Sequence, residues 1–199
     1  MDALSLIRQG VLFTHLVAFA IALSAVLHED VALIKARRID LQRLATAART
    51  VTYALSVLWV TGLALLAFDV GLDPRALVAS PKLAAKLVVV SALTANGLAL
   101  HALAFPLLRR PGTLDRSRLI VPVALGAIST TSWLYASFIG VSRVIAPALS
   151  FTDFMALYGV LLAGAAAVAF LFVAAYSGGD RKARDHRASA VRSGESGKS

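Results

Sequence analysis

Along the chain, apolar residues gather into long runs separated by short polar stretches, and those runs predict the architecture. The first runs from Gly10 to Leu27 without a formal charge and the second from Val51 to Phe68; three more follow over 82–108, 119–141 and 154–176. Each approaches the ~20 residues that an α-helix needs to cross the hydrocarbon of a bilayer. The expectation is all-α: a polytopic membrane helix bundle of five transmembrane helices. The spans lie at about 10–30, 51–68, 82–108, 119–141 and 154–176, within one bundle over residues 1–177.

The breaks between runs carry their own signals. Glu29 to Thr50 is polar but helix-compatible, so the first helix is expected to extend past the membrane before turning. Asp73-Pro74 can open a short interfacial helix, and Ser80-Pro81 offers an N-cap followed by proline at the first helical position. Ser150 with Asp153 has the spacing of a capping box ahead of the fifth span. Ser177-Gly178-Gly179 should end that span, leaving 178–199 as a disordered basic tail.

Composition narrows the chemistry. Hydrophobic residues make up 58% of the 199 positions and charged residues 16%, which leaves no soluble domain to find. Cysteine is absent, so disulfides, thiolate metal sites, iron–sulfur clusters and covalently attached haem are excluded. The net charge of +9 sits in loops and tail, where it sets topology; nucleic acid is not an expected partner. Lys35, Arg37, Arg38, Arg43 and Arg49 follow the first run, which opposes a cleaved signal peptide and predicts a retained helix. These five must share a side with Arg109, Arg110, Arg116 and Arg118 and with the six basic residues of the tail. By the positive-inside rule the N-terminus is then outside and the C-terminus cytoplasmic, in a bacterial cytoplasmic (inner) membrane.

Polar residues inside the spans are the candidates for function, because a charge in lipid costs roughly 2.5–3.5 kcal/mol or more. His15 sits in the first span and Glu29 follows fourteen residues later, which places the two within about 40° on one helical face, with Arg8 on the same stripe. Lys86 and His101 lie in the third span, and Trp59 and Gly62 in the second. Ser129-Thr130-Thr131-Ser132 in the fourth reads as helix–helix glue.

His15, the carboxylate fourteen residues on, the basic run, the Thr61-Gly62 pair and Lys86-Leu87 together resemble a small bacterial membrane family, a domain of unknown function, over about residues 10–100. More distantly, His15, Trp59 with Gly62, and Lys86 with Leu87 resemble the membrane protoporphyrinogen oxidase family and the membrane domain of the copper-resistance D family. The resemblance to the oxidases implies essential roles for His15 and Lys86. Where that family leads one to expect a further His, Ala95-Asn96-Gly97 has none, and the nearest is His101.

Depth selects the histidines that could share a haem iron. With helix midpoints near residues 19 and 95, His28 lies about 14 Å inward, His101 about 9 Å inward and His15 about 6 Å outward. A b-type haem is therefore expected between His28 and His101, leaving His15, Glu29 and Lys86 as the catalytic candidates. Two functional classes stay open. One is a redox or cofactor-handling membrane protein that binds b-type haem, a porphyrin or a metal ion. The other is a non-catalytic component, either a small carrier with proton-handling His15 and Glu29 or an assembly subunit. Expected partners are the lipid bilayer and a second copy or another membrane protein.

Overall fold

A computed structural model of the chain describes residues 2–36, 40–71, 73–109, 116–142 and 144–195. Among the described residues every regular element is helical: α1 (Ala3–Ala36), α2 (Leu41–Val70), the short α3 (Pro74–Ala79), α4 (Pro81–Arg109), α5 (Arg116–Val141), a 3-10 turn at Ala146–Ala148 and α6 (Phe151–Glu195). Five of these, α1, α2, α4, α5 and α6, are long and apolar enough to cross a membrane.

The expected local signals are the ones that close the helices. Asp73 caps α3 through Arg75 N–H at 2.9 Å, with Pro74 at the first position. Ser80 accepts from Leu83 N–H at the start of α4. Asp153 accepts from Ser150 N–H at 2.8 Å while Asp153 N–H donates to Ser150 Oγ at 3.2 Å, the reciprocal capping box. At Gly71, φ is +64°, the left-handed turn that lets its N–H reach the Ala67 carbonyl and end α2.

Two boundaries and one internal turn differ from the sequence reading. Helix α2 begins at Leu41 rather than near Val51, because the Asp40 carboxylate accepts from Gln42 N–H and Arg43 N–H and starts the helix in the polar connection. Within α4, Leu100–Ala104 widens into a π-helical turn, closed by Phe105 N–H donating to the Leu100 carbonyl. Pro106 explains it: its ring would press on the carbonyl four residues back and it has no N–H to offer, so the wider turn relieves both. Finally, α6 does not stop at Ser177-Gly178-Gly179. Its backbone stays helical to Glu195, where a disordered tail is expected. The span has already supplied the nucleus, and the Ala, Arg and Lys that follow propagate a helix well enough to offset two glycines at about 1 kcal/mol each. Residues 196–199 of the expected tail lie outside the described residues.

Packing follows the order of the chain. Helices α1 and α2 form one antiparallel hairpin and α5 and α6 another, with α4 laid against α5 and α6, and α1 reaching across to α5. Small residues, Ala18 and Ala22 of α1, Ala54 of α2 and Ala85 of α4, fill the close approaches; they are buried and let backbones draw near without a driving force from water. The bulky buried side chains sit on α5 and α6: Trp133, Tyr135, Ile139, Phe154 and Tyr158. Ser132 and Tyr158 hydroxyls meet at 2.7 Å, and the Tyr135 hydroxyl donates to the Phe154 carbonyl at 2.5 Å, so the polar cluster of α5 does act as helix–helix glue. Outward, Phe13, Val60, Leu98 and Val168 are each about two-thirds or more exposed, an apolar surface suited to lipid. The chain is a multi-pass membrane protein.

Candidate functional site

The polar stripe of α1 is its seam with α2. Arg8 donates to Asp69 at 2.8 Å, His15 meets Thr61 at 2.8 Å, and Arg43 donates to Glu29 at 3.4 Å. From Arg8 to Glu29 is 21 residues, about 32 Å of helix axis. That is the thickness of a hydrocarbon core, about 30 Å, so the two ion pairs lie at the two interfaces and His15 lies between them. Both pairs are partly exposed and contribute about 0–1 kcal/mol each. Glu29 is thus about 21 Å along the axis from His15, bound to Arg43, and does not join His15 in one site.

The His15 pairing fixes a tautomer. The Thr61 hydroxyl, buried in the seam, donates to the Val57 carbonyl at 2.7 Å. It must therefore accept from His15, so the ring carries its proton on Nδ1 and presents Nε2 as a lone pair. Nε2 makes no hydrogen bond to a described residue. The ring lies over Gly62, where a Cβ would stand 3.5 Å from Cε1. Lys86, near the start of α4, brings its ammonium close enough to act on the imidazole through space. One turn before Gly62, Trp59 donates from Nε1 to Thr94 Oγ1 at 3.0 Å, tying α2 to α4. His15 and Lys86, 71 positions apart in sequence, are thereby within electrostatic range of one another, with α4 tied to α2 through Trp59.

Gly62 makes that geometry testable. An added methyl at 3.5 Å is ordinary contact, so Gly62→Ala is expected to keep the fold and the His15–Thr61 bond. Gly62→Leu would force the ring off Thr61 at about 1–3 kcal/mol. Imidazole nitrogen shifts of selectively labelled protein would read the difference, and an unmoved His15 in the leucine variant would contradict the placement.

His28 and His101 are not brought together. His28 is exposed and lines a groove with Gln42, Arg43, Thr46 and Ala47 on one face of α2. His101, in the π-helical turn, donates from Nδ1 to the Gly97 carbonyl at 2.9 Å and packs its ring on Phe105 at 5.0 Å. Phe105 in turn lines a small cleft with Leu41, Leu44 and Ala45, which lie on the opposite face of α2. The first turns of α2 stand between the two imidazoles, and the pair does not fit one haem iron. Among the described residues no three His, Asp or Glu side chains form a metal-binding group.

The chain matches no family model, no curated protein and no solved structure.

Two partners escaped the sequence reading. Thr61 was visible only as half of a Thr-Gly pair, although its depth in α2 matches that of His15 in α1. Asp30 is the second: Thr130 donates a short hydrogen bond to its carboxylate, joining α1 to α5. Adjacent carboxylates project about 100° apart on a helix, so Glu29 faces α2 while Asp30 faces α5. In α4, Asn96 donates to the Leu125 carbonyl at 3.1 Å, and its buried Oδ1 has no partner among the described residues.

Proposed function

We propose that this is a multi-pass protein of the bacterial cytoplasmic membrane, N-terminus outside and C-terminus in the cytoplasm, that handles a porphyrin at the centre formed by His15 and Lys86. The observation that carries this reading is the His15–Thr61 bond: it spends Nδ1–H and leaves Nε2 as a lone pair in a membrane interior, within electrostatic range of the Lys86 ammonium. That donor set suits a porphyrin, whose ring nitrogens or central metal can meet one imidazole and whose carboxylates can meet one cation. The porphyrin would supply the redox chemistry. His15 would accept a proton or bind the centre of the ring, Thr61 would hold the imidazole in its tautomer, and Lys86 would orient a carboxylate. The resemblance of His15, Trp59, Gly62 and Lys86 to the membrane protoporphyrinogen oxidases supports the same assignment. A carrier passing protons between His15 and Glu29 is less favoured, because Glu29 is paired with Arg43 about 21 Å away.

The test is optical: purified protein supplied with protoporphyrin should bind about one per chain with a shifted, sharpened Soret band. No change in absorbance on titration would reject the porphyrin and favour an assembly subunit. Orientation is tested separately. Reporter fusions after residue 110 and at the C-terminus should read cytoplasmic, and one within residues 70–80 external; the reverse pattern would invert the topology.

A further inference from the structure

A second candidate site lies at the far end of the α1–α2 seam, independent of the porphyrin reading. There a groove of about 820 Å³ opens between α1 and the first turns of α2. That volume is typical of small-molecule sites, roughly 300–1,000 Å³. Its inner part is apolar, walled by Ala20, Ile21 and Ala25 of α1 and Ala47 of α2; its mouth is polar, with His28, Glu29, Asp40, Gln42 and Arg43. Glu29 and Arg43 mark the membrane interface, and Ala20 lies nine residues, about 14 Å, deeper. The groove therefore crosses from headgroup level into hydrocarbon. Ala20 and Ile21 are exposed, so it is open sideways to lipid.

The charges at the mouth choose among amphiphiles. Among the described residues, two carboxylates, Glu29 and Asp40, line the mouth with one guanidinium, Arg43. Glu29 and Arg43 stand 3.4 Å apart, longer than the ~2.7–2.9 Å of a tight charge-assisted bond, and Glu29 is only partly buried. Asp40 spends Oδ1 on the backbone of Gln42 and Arg43, and its Oδ2 makes no hydrogen bond to a described residue. A purely anionic headgroup brings no ammonium to Glu29 and Asp40. A quaternary ammonium could not donate to those oxygens. A primary ammonium with three N–H donors can reach Glu29 and Asp40 while the adjoining phosphate takes Arg43.

We propose that this groove binds one phospholipid with a primary-amine headgroup, ammonium toward Glu29 and Asp40, phosphate toward Arg43, and the start of an acyl chain along Ala20, Ile21 and Ala25. The experiment is native mass spectrometry of the delipidated full chain in detergent, titrated with short-chain phosphatidylethanolamine, phosphatidylcholine or phosphatidylglycerol. Wild type should retain one ethanolamine lipid per chain at about tenfold lower concentration than the other two, the ratio expected of one added charge-assisted contact. Glu29→Gln should erase the preference. Ser24, exposed on α1, also lines the groove; Ser24→Trp, which fills it without replacing either member of the ion pair, should abolish retention while helicity is unchanged. Equal retention of all three lipids, retention by Ser24→Trp, or a groove covered by a second copy of the chain would each overturn the proposal. The headgroup comparison needs no variant, so it stands even if a substitution disturbs the hairpin.

Discussion

Replacing His15 by alanine is expected to weaken porphyrin binding by about 10–100-fold, the loss of one strong polar contact in a desolvated site. Lys86→Ala should cost a similar factor by removing the cation, whereas Lys86→Arg, which keeps the charge and adds a fork for a carboxylate, should recover most of it. Thr61 is a positioning residue and is distinguished by rescue: Thr61→Val should lose several-fold and change the His15 tautomer, while Thr61→Ser should restore both. Absorbance titration gives the affinities and nitrogen NMR the tautomer. If His15→Ala and Lys86→Ala bind as wild type does, the convergence of α1, α2 and α4 is structural only.

The second large effect is on stability. Trp133 is 2% exposed and its ring stands 5.4 Å from that of Phe19, so it fills the space between α5 and α1. Trp133→Ala leaves a cavity that the tightly packed Tyr135, Ile139 and Phe154 cannot close, and should cost about 3–5 kcal/mol. Ser132→Ala, whose one interhelical loss is the bond to Tyr158 beside a bond back to the Ile128 carbonyl of its own helix, should cost about 0.6 kcal/mol, the average for an interhelical hydrogen bond in a membrane protein. Unfolding in mixed micelles, followed by circular dichroism, separates the two. A loss below about 1 kcal/mol for Trp133→Ala would mean that α1 does not lean on α5 there.

These contrasts mirror what the sequence could and could not reveal. The five spans were legible because runs of apolar residues are a one-dimensional signal, and the caps at Asp73, Ser80 and Ser150 because they are local. The stripe of Arg8, His15 and Glu29 was legible as a face, since periodicity gives azimuth on one helix. Which helix that face meets is not in the period. Depth arithmetic failed for His28 and His101 for the same reason: it gives position along the membrane normal but says nothing of the α2 backbone between them. The π-helical turn before Pro106 and the helical run after Gly179 show the opposite limit. There local preference was readable, but the outcome depended on the helix already formed around it.

On the proposed porphyrin reading, the pair His15 and Lys86 makes one demand that no structural role would make: the ligand carries acid groups. Titration of the purified full chain with protoporphyrin and with its dimethyl ester tests that directly, since the two share a ring and differ only in the carboxylates that Lys86 would hold. The account predicts that the free acid binds about tenfold or more tightly than the ester, and that Lys86→Ala removes the difference. Equal binding of acid and ester by the wild type, or binding of neither, would contradict it.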